Sequence, residues 1–252
     1  MDDLDLDAIR WLPLRDGERF SHSTAARLYG IPLPASIGSE LHVASLAVRG
    51  QARRKDVVGH RDGAAMTHLG TTPLSSPERT FIELGTMLGV DDLLAAGDHL
   101  IHSPRRPVRG RPWTTIERLE AACQASSWGV TTARKALPWI RTGVESAKET
   151  ELRLLLVRAG LPEPMCGYEV RDSSNRWIGW FDLAWPEHRV LGEYDGDQHR
   201  TSTTQYDKDI RRFDLATEAG WRVIRVRASG LARSGRTETL RRFRLALRTR
   251  AW

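Results

Sequence analysis

The stretch 181–199 constrains this chain most. It runs Phe181-Asp182-Leu183-Ala184-Trp185, then Pro186-Glu187-His188-Arg189, then Val190-Leu191-Gly192-Glu193-Tyr194-Asp195-Gly196-Asp197-Gln198-His199. Two short apolar runs around a proline-bearing turn form a hairpin signal. A loop of four residues is a common hairpin length; it sets Trp185 opposite Val190 and Asp182 opposite Glu193. Side chains alternate along a strand, so Glu193 and Asp195 share one face. Three carboxylates then converge on one patch of sheet. Each raises its neighbours' pKa, and a hard cation such as Mg²⁺ is the main reason to hold them together. The plainer reading is an exposed sheet face with scattered acids. Gly196 suits a turn of positive φ, which would end the strand and let His199 swing back toward the acids.

The rest of the composition bounds the partners. At 252 residues with 40% hydrophobic and 28% charged content, the chain is a soluble globular protein of one large or two modest domains. Net charge is +6 and the pI about 9.8, which favours a polyanion. The distribution is more telling. Residues 221–252 carry ten Arg against one acid, Glu238, a density typical of phosphate contact, although any one of these Arg can equally belong to a solvated helix face. Cys123 and Cys166 match no metal spacing and read as buried thiols of a reducing compartment. The acidic start Met1-Asp2-Asp3-Leu4-Asp5 lacks the apolar run of a signal peptide. No apolar run approaches membrane-spanning length. A cytoplasmic location is expected.

Along the chain, residues 1–20 are weakly patterned and read as partly frayed. A short helix is expected over 21–30, strands over 41–48, 55–60 and 64–69, and a helix from Ser75-Ser76-Pro77-Glu78 to about Leu88. Further helices are expected over 91–102, 115–125 and 131–140, with a proline- and arginine-rich loop at 103–112. Residues 141–144 are the candidate boundary between domains. Beyond it the pattern sharpens. Residues 149–160 form an amphipathic helix with Leu152, Leu155, Leu156 and Ala159 as its stripe and Gly160 as its stop. Strands follow over 166–171, 177–185 and 189–195. A charged helix covers 203–219, a strand 221–226, and a basic helix 238–250.

The order helix, three strands, helix, strand resembles the core of the PD-(D/E)XK nuclease superfamily. Residues 146–164 with Glu149, Phe181-Asp182-Leu183, Glu193-Tyr194-Asp195-Gly196-Asp197-Gln198-His199, Asp207-Lys208-Asp209-Ile210-Arg211-Arg212 and Gly220-Trp221-Arg222-Val223-Ile224-Arg225-Val226 are similar to bacterial Vsr-like endonuclease domains. The resemblance covers about residues 145–230. It implies an α/β fold with a restriction-endonuclease-like αβββαβ core over 145–252, behind a smaller α+β domain over 1–144. It also implies a Mg²⁺-dependent endonuclease acting on DNA, with Mn²⁺ able to substitute. Asp182, Glu193 and Asp195 are then the metal ligands, and Glu149 and His199 join them as catalytic residues. Glu149 would orient water, and His199 would act as general acid or orient a phosphate. Lys208, Arg211, Arg212, Arg225, Arg241 and Arg242 would hold the nucleic-acid backbone, with strong salt dependence.

One position departs from the pattern. The lysine of the superfamily's Glu-x-Lys signature is Asp195 here. His199, Lys208 or Arg212 are the options for the missing cation. The departure leaves a second reading open, a catalytically inactive nucleic-acid-binding regulator on a nuclease fold. The first half resembles abortive-infection type IV antitoxin-like proteins, through Ser21-His22-Ser23-Thr24-Ala25-Ala26 with Tyr29-Gly30, and Ser76-Pro77-Glu78-Arg79-Thr80. The winged helix that usually precedes such a body is missing from the sequence. A protein partner for this half, and pairing of two copies as a homodimer, stay open at this point.

Other candidates are weaker. His60-Arg61-Asp62 mimics a kinase triplet without its companion motifs. His99 and His102 are too few for a tetrahedral metal site. Trp177, Trp180, Trp185 and Trp221 read as core aromatics on the sheet.

Overall fold

The computed structural model describes residues 9, 12–46, 54–64, 66–196 and 203–248, with side chains in the helix Thr203–Glu218 described from Asp209 onward. The chain divides into two compact units, Met1–Ile140 and Arg141–Trp252. Both are mixed α/β. Among the described residues, no helix is long and apolar enough to cross a membrane.

The first unit is built on a five-stranded mixed sheet. Its strands are β1 (Glu18–Phe20), β2 (Leu41–Ser45), β3 (Val57–Arg61), β4 (Met66–Leu69) and β5 (Thr72–Ser75), in the spatial order β3-β2-β1-β5-β4. Helices α1 (His22–Leu28), α2 (Pro77–Leu84), α3 (Val90–Ile101), α4 (Ile116–Ala125) and α5 (Val130–Ala136) complete it. Residues 18–20, expected to fray, are instead the central strand and fully buried. Three residues are too few to display a period of two, so the pattern alone could not reveal them. The polar content of β1 is resolved inside the fold. Arg19, 1% exposed, donates from Nε to Ser75 Oγ at 3.1 Å and ion-pairs with Asp62, which also accepts from Arg79 Nε at 2.9 Å. Phe20, Val43, Leu74, Phe81, Leu84 and Leu93 form the apolar centre. Ser76 caps α2 by accepting from Arg79 N–H at 3.1 Å, with Pro77 in the first turn.

The second unit follows the order α6 (Ala147–Arg158), β6 (Met165–Arg171), β7 (Trp177–Trp185), β8 (Val190–Asp195), α7 (Thr203–Glu218), β9 (Arg222–Arg227), α8 (Ala228–Leu231) and α9 (Arg236–Arg248). Its sheet runs β6-β7-β8-β9, antiparallel for the first two pairs and parallel for the last. Apolar clusters cover both faces. Leu152 and Leu156 of α6 and Phe243 of α9 pack with Leu183, Trp185, Val190, Ile224 and Val226. Ala216 of α7 packs with Val170, Ile178, Phe181, Ala184, Leu191 and Trp221. A sheet buried on both sides explains the near-continuous apolar runs of β7 and β8. Trp185 and Trp221 are core residues as expected, but Trp177 is 56% exposed. It stands at the start of β7 and opens onto a groove lined by Arg171, Arg176 and Arg189. Cys123 is buried and Cys166 only partly so, both as free thiols.

Candidate functional site

The β7–β8 turn contains Pro186–His188 as a single 3-10 turn, with Arg189 in the left-handed region at φ 52°. It pairs Trp185 with Val190, Ala184 with Leu191, and Leu183 with Gly192. This is the register that a loop of four residues dictates. At the next pair the carboxylates replace the ladder. Tyr194 N–H donates to Asp182 Oδ2 at 2.7 Å, and Asp182 N–H donates to Glu193 Oε2 at 3.3 Å. On the other flank of β7, Gly167 adopts φ 58° between the pairs Cys166–Leu183 and Tyr168–Phe181. This distortion of β6 lies alongside Asp182, and glycine tolerates it at no steric cost.

Glu149 joins the pair from the first turn of α6. Its position there has a structural cause. Ser146, the N-cap of α6, accepts from Glu149 N–H at 3.2 Å and donates its hydroxyl to Glu149 Oε1 at 2.7 Å, while Oε2 accepts from Glu145 N–H at 2.8 Å. The arrangement is a variant of the capping box, with the backbone donor one residue before the N-cap. Both Glu149 oxygens are therefore engaged in the helix start while the group faces the acids on the sheet.

The electrostatics follow from burial and like charge. Burial, then Glu193 and Glu149, push the Asp182 carboxyl well above its ordinary range. Glu149 is raised to about 7, first by burial and then by Glu145 and Glu193. Glu193 is also raised by burial, although Arg212 opposes the shift. Burial is the first cause at all three groups, so the fold draws each acid toward its neutral form, and the guanidinium beside them opposes that shift.

That guanidinium belongs to α7. Arg212 ion-pairs with Glu193 Oε1 and donates to the Trp180 carbonyl. Its guanidinium lies 4.8 Å from the Phe181 ring centre and 4.9 Å from that of Phe213. The approach depends on Gly179, since a Cβ there would fall 2.5 Å from Arg212 Cδ. Among the described side chains, Arg212 is placed at the acids. Lys208 lies in α7 with its side chain outside the described atoms, and His199 lies outside the described residues.

Asp195 behaves differently from the expected third ligand. It ion-pairs with Arg225 at 2.9 Å and Arg227 at 3.4 Å, both on the neighbouring strand β9. Parallel pairing sets Asp195 against Arg227 and Glu193 against Arg225, so arginine side chains of β9 reach this carboxylate. Among the described residues, no three of the acids at this end of the sheet bring ligand oxygens within 4.8 Å of one another. The structure gathers Asp182, Glu193 and Glu149 into one electrostatic group and gives Asp195 its own cationic partners.

The arginines expected to hold a backbone fall on separate surfaces. Arg225 and Arg242 line a cleft of about 500 Å³ with Asp195, Arg227, Ser229 and Thr239. Arg242 Nη1 donates to the Arg225 carbonyl at 3.0 Å. Arg241 is tied to Glu238 at 2.7 and 2.8 Å on the exposed side of α9. Arg211 opens onto another groove, with Arg171, Arg176, Trp177 and Arg189.

The first unit holds a cluster that no sequence motif announces. His22, His42 and His60 place one ring nitrogen each within 4.8 Å of the others. Intervals of twenty and eighteen residues match no metal-ligand spacing, and only the β2–β3 register brings the latter two together. His60 and Asp62 of the kinase-like triplet thus enter two different networks. His99, the other histidine considered, has Nε2 2.7 Å from Arg111 Nη1 and 3.0 Å from the Tyr29 carbonyl.

Fold and site together define a two-unit mixed α/β protein whose second sheet carries a buried acid group at its β7–β8 edge. Two relatives from Mycobacterium tuberculosis are similar to it. They are "Uncharacterized protein MT2308" of strain CDC 1551 / Oshkosh and "Uncharacterized protein Rv2248" of strain ATCC 25618 / H37Rv. Each is 28% identical over 202 residues, spanning 80% of this chain and 71% of the relative. No family model matches the chain, and no solved structure matches it.

Proposed function

We propose that the second unit is a metal-dependent endonuclease hydrolysing phosphodiester bonds of DNA, built on a restriction-endonuclease-like core. The observation that carries this reading is the Asp182–Glu193 pair, where β7 and β8 stop exchanging backbone hydrogen bonds and carboxylates fill the gap. The αβββαβ order and the β6-β7-β8-β9 sheet agree with it.

The donor set suits Mg²⁺ or Mn²⁺. Its ligands are hard oxygens, and Glu193 and Glu149 each raise the Asp182 carboxyl beyond what burial does, a like-charge contact that a bound cation would relieve. Asp182 and Glu193 are the residues that would hold the ion. A bound divalent cation supplies Lewis acidity toward a phosphate oxygen and lowers the pKa of water. Glu149, raised to about 7, is the group able to take a proton near neutral pH. Arg212 supplies the positive charge that the superfamily signature assigns to lysine, delivered from the helix instead of the strand. Asp195 orients Arg225 and Arg227 toward the backbone-binding cleft instead of ligating metal. The first unit serves as a recognition module of antitoxin-like type.

The second reading, a nucleic-acid-binding regulator without turnover, is favoured by one observation: Arg212 already sits on Glu193 as an ion pair. Plasmid nicking separates the two. Under the nuclease reading, wild type nicks supercoiled DNA with Mg²⁺ or Mn²⁺ and not with EDTA. Asp182→Asn and Glu193→Gln lose cleavage and keep DNA affinity within a few-fold. Equal nicking by wild type and both variants removes the site assignment, whereas tight DNA binding with no divalent-ion response establishes the regulator.

A further inference from the structure

The His22/His42/His60 cluster is assembled by three separate features of the first sheet. Strands β2 and β3 run parallel, with His42 opposite Val58 and Ala44 opposite His60. The two histidines are therefore two residues out of step and on one face. His42 Nδ1 lies 2.9 Å from His60 Nε2. The third ring arrives from β1, which pairs Phe20 with Val43; Ser21 N–H then donates to the His42 carbonyl at 3.0 Å. This sets His22 beside the pair, its ring stacked on His60 at 3.7 Å and 17°.

His22 is held there against local preference. Its φ is 49°, in the left-handed region, which non-glycine residues seldom adopt. Glu83 fixes that conformation by accepting His22 N–H on Oε2 at 2.8 Å, while its Oε1 accepts from Ser75 Oγ at 2.9 Å. His22 Nδ1 lies 3.0 Å from Ser21 Oγ. With Nδ1–H donating to that hydroxyl, Nε2 keeps its lone pair. An outer hydrogen bond of this kind fixes tautomer and ring orientation in metal-ligating histidines.

We propose that His22, His42 and His60 form a binding site for a divalent transition-metal ion of the Zn²⁺ type, with its fourth position left to water or an exchangeable ligand. Imidazole is a preferred ligand of such ions. Two nitrogens on one tetrahedral Zn²⁺ lie roughly 3.3 Å apart, from a Zn–N bond of about 2.0–2.1 Å. The His42–His60 separation is already near that value, and all three ligand nitrogens lie within 4.8 Å. Closing the set requires a turn of the His60 ring, which is only partly buried. One proton lies between His42 Nδ1 and His60 Nε2 in the metal-free pair. Moving it to the far nitrogen of its ring frees both lone pairs with no net proton change. Among the described residues no further His, Cys, Asp or Glu joins the set. Both Glu83 oxygens are engaged in hydrogen bonds, so this acid supports the site instead of ligating. Three protein ligands and one open position are the form of a reactive or sensing zinc site.

The inference does not rest on the acid group of the second unit, and the experiment keeps them apart. Full-length protein freed of metal with a chelator is titrated with Co²⁺, followed by visible absorption, and Zn²⁺ is then added in competition. The same titration is run on the Asp182→Asn/Glu193→Gln double variant. One equivalent of Co²⁺ with the intense bands of tetrahedral geometry is expected in both proteins, displaced by Zn²⁺. His60→Gln and His42→Gln are expected to lower Co²⁺ affinity by about 100-fold or more, beyond the loss typical of outer-shell changes. Exposed His68→Gln serves as the control and leaves affinity unchanged. The proposal is overturned if wild type gives no tetrahedral signal, if the double acid variant loses that signal, or if folded His60→Gln and His42→Gln bind Co²⁺ as wild type does.

Discussion

Replacing Arg212 with methionine tests how the acid group is held at the edge of β7 and β8. Methionine keeps an unbranched stem against Phe181 and Phe213 and removes the guanidinium. Three interactions go with it. The ion pair to Glu193 joins side chains only 20% and 10% exposed, so water replaces the lost partner poorly. Breaking a fully buried pair costs about 3–5 kcal/mol. The cost is smaller here, because Glu193 can take up a proton. The Trp180 carbonyl loses the Arg212 donor, at about 0.5–1.5 kcal/mol for a typical hydrogen bond. The two ring contacts at 4.8 and 4.9 Å are worth about 0.5–1 kcal/mol each. These losses share one side chain and do not add fully, so about 2–4 kcal/mol is expected at pH 7. For a domain of about 100 residues, that lowers Tm by roughly 10 °C or more. The deficit also depends on pH. Without Arg212 the folded-state pKa of Glu193 rises further above its ordinary value of 4.5. A carboxyl raised in the folded state binds more protons there than when unfolded, so its stability contribution is complete at low pH and is lost as pH rises through the folded pKa. The Arg212→Met deficit must therefore shrink as pH falls toward 4.5. Asp182, Glu149 and Asp209 face the same site and are present in both proteins. Melting by near-ultraviolet circular dichroism, at pH 7 and pH 5, reads the difference. A variant melting within about 2 °C of wild type at pH 7, or a deficit equal at both pH values, refutes this account.

Two further outcomes check other parts of the fold. Ser146→Ala removes the N-cap of α6 and the hydroxyl that holds Glu149 Oε1; a loss of about 1 kcal/mol is expected in denaturant unfolding, and no loss means the capping box is not formed. His99, driven down to about 4 by burial and then by Arg111 and His102, binds fewer protons folded than unfolded between pH 6.5 and about 4, so it withdraws stability as pH falls through that window. His99→Gln should flatten the acid side of the wild-type stability profile, and parallel profiles would show that His99 titrates normally.

The parts of the fold legible in the sequence are those that repeat a pattern long enough to be read. Helix α6 shows a stripe and a glycine stop over 149–160, and the structure places it at Ala147–Arg158, starting two residues earlier behind the Ser146 cap. Strand β7 spans Trp177–Trp185, the same residues that its apolar run marks in the sequence. Failure came with β1. Its three residues, Glu18-Arg19-Phe20, include two charged side chains, yet all are buried because Asp62, Ser75 and Arg54 reach them from elsewhere in the chain. Burial of that kind is a property of the tertiary network, and hydropathy cannot signal it.

The candidate site divides along the same physical line. Local chain geometry sets the β7–β8 register, so Asp182 and Glu193 could be placed together from a turn length. The partners of those acids come from elements separated in sequence by many residues. Asp195 lies two residues beyond Glu193 and alternation puts both on one face, but β9 meets Asp195 with Arg225 and Arg227, while α7 meets Glu193 with Arg212. One face therefore carries two acids with separate cationic partners, and Asp195 stands apart from the Asp182–Glu193–Glu149 group. The His22/His42/His60 set carries the logic to its limit. Its members come from a helix start and two parallel strands, and only the pairing of β1, β2 and β3 brings them together. A turn can predict which residues face one another across a hairpin. Which counter-charge reaches them is decided by strands and helices that pack from elsewhere, and at the acid pair that charge governs whether the site has room for a metal ion.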